Sequence, residues 1–126
     1  MPFEHIIDHG DRLVVVRGTG EGSVGETTES ACRLLEDQSI GTDYAFMFVV
    51  NDIALHPTPD QMWSIISLLK TILSRFSGRM AIVTSVVGRV TAASLIAFEV
   101  DKGVGKLRVF PSEDEARRWL LQRTPE

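Results

Sequence analysis

The chain has 126 residues, 44% hydrophobic and 24% charged, with a formal net charge of -4 at neutral pH. That length fits one domain burying about two thirds of the surface its unfolded chain exposes, and the acidic balance gives no field to gather phosphate backbones, which argues against nucleic acid as a partner. No apolar run approaches the ~18 residues of a membrane span, residues 1–5 lack a signal-peptide pattern, and the single cysteine, Cys32, makes no internal disulfide, so no transmembrane segment and a reducing, cytoplasmic setting are expected.

Residues 3–8 and 12–18 are β-rich runs separated by His9-Gly10-Asp11, which reads as a hairpin turn and makes the first strand an antiparallel edge. Ser23-Val24-Gly25-Glu26 is a capping-box pattern, and Thr27, Ala31, Leu34 and Leu35 follow at helical spacing to about Gln38. Within that run Cys32 suits a small core residue. Tyr44 to Val50 is apolar on both alternating faces, as in a central strand covered on each side. Thr58-Pro59-Asp60-Gln61 puts a cap, an N1 proline and an N3 glutamine in order, opening a helix to about Phe76 that stops before Gly78.

Met80 to Thr84 is a further buried strand, and residues 89–101 form an alanine-rich helical run that Gly103 and Gly105 break. Leu107 to Phe110 supplies the last strand, which runs almost directly into a helix whose N-cap is Ser112, with Glu115 completing a second capping box and acids filling the first turn. The order ββαβαβαβα predicts a single α/β domain over residues 1–126, with a mixed, mostly parallel five-stranded sheet, an antiparallel first strand and four flanking helices.

Gly20-Glu21-Gly22-Ser23-Val24-Gly25 satisfies G-x-G-x-x-G between a strand and a helix. Glu21 would place a negative charge beside a pyrophosphate and a hairpin precedes the motif, so a flexible turn is the better reading. Ligands of open α/β sheets meet the loops beyond the carboxyl ends of the strands, here residues 18–25, 51–58 and 85–89. Asn51, Asp52, His56, Ser85 and Arg89 form a candidate ligand crevice there, in which Asp52 and His56 are the pair suited to proton transfer. His5, His9 and His56 are far apart without acidic or cysteine neighbours at ligand spacing, so no metal is expected.

On the helix from Asp60 to Phe76, Met62, Ile65, Ile66, Leu69, Leu73 and Phe76 form one stripe, opposite Asp60, Ser64, Ser67, Thr71 and Ser74. Trp63 and Leu68 lie on the two flanks of that stripe, wider than one sheet face requires, and are the candidate partner surface, for a protein partner or a second copy in a homodimer. The run Val90 to Phe98 is similarly apolar, and a groove bordered by both helices would admit a small apolar or lipid-like ligand.

Four segments together resemble the STAS-like proteins, in particular the SpoIIAA-like group: Leu13 to Gly18, Phe46 to Asp52, Arg79 to Val83 and, most specifically, Leu107 to Leu120. The resemblance covers nearly the full length. It implies a mixed sheet flanked by helices, in a protein that binds partners or small ligands instead of turning over substrate. The family's regulatory members carry a phosphorylatable serine or threonine at the start of the helix after the central strand. Here that region reads Ile53 to Asp60, with Thr58 the nearest hydroxyl and hence the candidate phosphoacceptor, although the family's paired hydroxyls and glycine are replaced and prolines flank Thr58, which favours a plain N-cap.

The reading that follows is a non-enzymatic binding or regulatory module of the STAS-like type, acting through protein-protein contacts and needing no cofactor. A first alternative is a carrier of a small apolar or anionic ligand at the carboxyl-end crevice. A second is a small hydrolase or transferase using Asp52 and His56.

Overall fold

The computed structural model describes residues 3–21, 24–54, 59–84, 94, 96–101 and 105–122. The strands are β1 (Phe3–Asp8), β2 (Leu13–Glu21), β3 (Ala45–Ala54), β4 (Met80–Val83) and β5 (Leu107–Phe110). The helices are α1 (Val24–Glu36), α2 (Pro59–Arg75), α3 over residues 96–101, and α4 (Glu113–Leu121). One sheet holds all five strands in the order β1-β2-β3-β4-β5, with β1 antiparallel to β2 and each later pair parallel. The fold class expected from the order of elements is the one observed.

Alternation along the strands divides the core into two layers. Val14, Val16, Phe46, Met80, Ile82 and Leu107 face one side, where they meet Leu34 of α1, Ile66, Leu69 and Ile72 of α2, Phe76 just past its end, and Ala97 and Val100 of α3. Leu13, Val15, Ala45, Met47, Val49, Ala81 and Val83 face the other, where only Ala116 and Leu120 of α4 join them as buried partners, with Trp119 and Phe110 at the margin. Among the described residues, one sheet face is therefore covered by three helices and the other by a single nine-residue helix.

Local chemistry explains the joints. The β1-β2 turn closes with Asp11 N donating to Asp8 Oδ1 at 3.0 Å, and Arg12 rather than Gly10 takes the left-handed conformation, at φ 54. Ser112 Oγ accepts from Glu115 N at 3.3 Å, so the cap read from the sequence forms. Asp101 accepts from the backbone N–H groups of Gly105, Lys106 and Leu107, fixing the approach to β5 through Gly105 at φ 89. Gly78 is required by contact: a Cβ there would lie 2.2 Å from the Tyr44 carbonyl oxygen and 2.9 Å from Ala45 Cα.

Three expectations need correction. Cys32 is exposed, not core. The buried arc of α1 runs through Ser30, Ala31 and Leu34, turned toward β1 by the contact of Ser30 Oγ with His5 Nε2, and Cys32 lies one residue and about 100° beyond Ala31 on the opposite flank. On α2 the stripe includes Ile72, among the most buried side chains of the protein. Finally, β2 and β3 run past their expected ends. Gly20 and Glu21 pair with Ile53 and Ala54 in the parallel ladder, after a bulge between Arg17 and Thr19. The first residues of the glycine motif are thus strand and not a flexible turn, and Asn51 and Asp52 lie within β3 instead of the loop after it. The expected helical run 89–101 is described only at residue 94 and from 96 to 101.

Candidate functional site

Two regions carry the features a binding surface needs: the outer flank of α2, and the carboxyl end of the sheet. Ile66, Leu69 and Ile72 of α2, with Phe76 just past its end, satisfy the sheet, and Met62, Ile65, Leu68 and Leu73 are half-buried beside them. Leu68, on one flank, packs against the core cluster. Trp63, on the other, stands 57% exposed. Phe98, at 72% exposure, is the corresponding large apolar side chain on α3, and both helices cover the same sheet face. The polar side of α2 is satisfied locally, with Ser64 and Thr71 hydroxyls donating to the carbonyls of Asp60 and Ser67. The α1 side of α2 is closed by Arg75, which donates to the Leu35 carbonyl at 3.4 Å.

At the carboxyl end, Asn51 and Asp52 belong to β3, with Asp52 paired to Thr19 of β2. Their side chains lie outside the described residues, as do His56, Thr58, Ser85 and Arg89 altogether. The residue that sequence reasoning missed is Thr84. It follows the last residue of β4, its N–H donates to the Phe110 carbonyl at 2.9 Å, and its side chain is 0% exposed. Among the described residues its Oγ1 has no hydrogen-bond partner. The signal was a hydroxyl closing the otherwise apolar run Met80 to Val83 at the end of the sheet where ligands bind.

The opposite face is built for rigidity. Arg17 of β2 donates from Nη1 and Nη2 to the Glu113 carboxylate of α4 at 2.7 and 2.8 Å, a bidentate pair that holds the Glu113 carboxyl below its ordinary range. Arg79 donates to the Trp119 carbonyl at 2.9 Å, and the Arg79 and Arg108 guanidinium groups lie 5.0 and 5.5 Å from the Trp119 ring centre. On the edge strand, partial burial pushes His5 below its ordinary pKa, and the nearby Arg33 adds to that shift. Among the described residues no group of three His, Cys, Asp or Glu side chains is arranged to hold a metal ion, and no helix is long and apolar enough to cross a membrane.

No family model matches the chain, and no curated protein matches it. Among solved structures it is similar to an uncharacterized DUF3478-family protein with a SpoIIAA-like fold from Shewanella loihica PV-4. The TM-score is 0.66 at 16% identity, over 94% of this chain and 91% of that one. At this identity the likeness speaks for architecture alone. The chain has a STAS-like, SpoIIAA-like fold.

Proposed function

We propose that this chain is a non-enzymatic binding or regulatory module that acts through protein-protein contacts, with Trp63 at the centre of the contact surface and a second copy of the chain as the first partner to test. The observation that carries this reading is the exposure of Trp63 on a helix whose sheet-facing stripe is already complete. A tryptophan exposes a large apolar surface with few rotatable bonds, and tryptophans are enriched among residues that dominate interface energies. The fold supports the reading in a general way, because it places a helical layer over the sheet where such a surface can form. Thr58, directly before Pro59 of α2, is the proposed phosphoacceptor: a phosphate would meet the positive end of the helix dipole but be repelled by Asp60. Intact-mass and fragment spectra after incubation with a kinase-bearing lysate test it, and an unmodified Thr58 removes that part of the proposal. The surface itself is tested by light scattering of the wild type and Trp63→Glu, with loss of association expected in the variant.

A second reading, a carrier of a small apolar or anionic ligand at the carboxyl end, is favoured by one separate observation: the fully buried Thr84 hydroxyl without a partner among the described residues. Asn51, Asp52, His56, Ser85 and Arg89 remain the proposed rim of that crevice. Native mass spectrometry of the purified protein tests it, since a carrier retains added mass that denaturation removes.

A further inference from the structure

We infer that Thr84 is the polar anchor of a small-ligand site at the carboxyl end of β4, and that the site takes a mainly apolar molecule presenting one acceptor oxygen, such as a ketone, ester or amide carbonyl. This rests on the carrier reading and deepens it. The Thr84 N–H donates to the Phe110 carbonyl at 2.9 Å, so the β4-β5 ladder continues one residue past Val83. Alternation then turns the Thr84 side chain to the face of Met80 and Ile82, beneath the α2-α3 layer. Its hydroxyl is removed from solvent, and a buried hydroxyl ordinarily has a partner. Its free hydrogen calls for an acceptor.

The surrounding core loosens toward this end. Tyr44, just before β3, and Phe46 are buried on this face, whereas Phe48 and Val50, nearer the carboxyl end of β3, are half-buried. Ile65 of α2 and Ile96 of α3 are half-buried as well. These four apolar side chains match the body of the molecule, and Thr84 matches its single oxygen, the usual division of labour in a small-molecule pocket.

The test uses octan-2-one as probe, titrated into the full chain and followed by saturation-transfer and amide-shift NMR, for the wild type, Thr84→Val and Thr84→Ser. The wild type binds, Thr84→Val binds about two- to tenfold more weakly, the range one neutral hydrogen bond allows, and Thr84→Ser stays within about twofold of the wild type because it keeps the hydroxyl. Without ligand, Thr84→Val melts no lower than the wild type. A clearly lower melting temperature would mean the hydroxyl serves the chain itself, and unchanged affinity in Thr84→Val would remove Thr84 as anchor while leaving the carrier reading in place. Failure of the wild type to bind the probe removes the carbonyl-ligand proposal, and the carrier reading then stands or falls on the native mass spectrum.

Discussion

Replacing Leu120 by alanine probes α4, the one helix among the described residues on the sheet face of Leu13, Val15 and Met47. Leu120 is 2% exposed and meets a layer formed by Leu13, Val15, Ala45, Met47, Val49, Ala81 and Val83, with Ala116 as the other buried residue of α4. Leu→Ala truncations cost about 2–5 kcal/mol depending on how far the site collapses. Collapse is limited here, because Arg17–Glu113 and Arg79–Trp119 pin both ends of α4 and Ala116 is too small to fill the space. We expect a loss of about 3 kcal/mol. Unfolding entropy near 2.1 cal/mol/K per residue gives about 0.26 kcal/mol/K for this chain, so the melting temperature falls by about 11 °C. Urea unfolding by circular dichroism reads the energy, and hydrogen exchange should show faster opening of β3 and β4 amides than of β1. The exposed Arg118→Ala serves as control, expected within about 0.5 kcal/mol of the wild type. A loss below about 1 kcal/mol for Leu120→Ala would refute a tightly packed layer on this face.

Two further outcomes follow from particular contacts. Gly78→Ala drives a methyl into the Tyr44 carbonyl, a backbone obstacle that cannot rotate away, so it destabilises by about 2–3 kcal/mol or more in urea unfolding, whereas Gly10→Ala meets only the Asp8 carboxylate and stays near wild type; equal effects would contradict the close approach. Acid should destabilise in two steps: His5 is depressed from 6.5, so its contribution is present above that pH and is lost as pH falls from 6.5 through the folded value, and Glu113, depressed from 4.5, adds a second loss below 4.5. His5→Gln should flatten the upper step in pH-dependent urea midpoints and Glu113→Gln the lower, and a wild type more stable at pH 5 than at pH 7 would overturn the assignment.

Much of the fold was legible because local signals agreed with one another. The edges of β1 and β5, the α2 start at Pro59 and the Ser112 cap all rest on short-range rules that tertiary packing did not override. The misplacements have tertiary causes. Cys32 sits among apolar residues in sequence, yet the arc of α1 that faces inward is the one that buries Ser30, Ala31 and Leu34, with Ser30 meeting His5 of β1. The extra length of β2 and β3 comes from their pairing with each other beyond Arg17 and Val49, where Gly18, Gly20, Asn51 and Asp52 are poor strand formers and hide it. The three-to-one division of helices seen among the described residues follows from the strand order, since right-handed crossovers that all step the same way along the sheet lie on one face, and that order was not legible in the sequence.

The site was less legible than the fold. Trp63 was visible as a flank residue because helical periodicity assigns angles, and the structure leaves it exposed, whereas Leu68 on the other flank packs on the core. Thr84 carried no motif at all. Its place at the end of a buried, apolar run was legible, but its interest arises only with the lack of a partner among the described residues, which the sequence does not show.

The most direct measurement of whether this surface binds is multi-angle light scattering across a concentration series of the wild type and Trp63→Glu, with circular dichroism confirming that both are folded. The wild type should approach twice the 14.0 kDa chain mass as concentration rises, while Trp63→Glu remains at 14.0 kDa. A wild type that stays at the single-chain mass throughout, or a variant that associates equally well, would contradict the account.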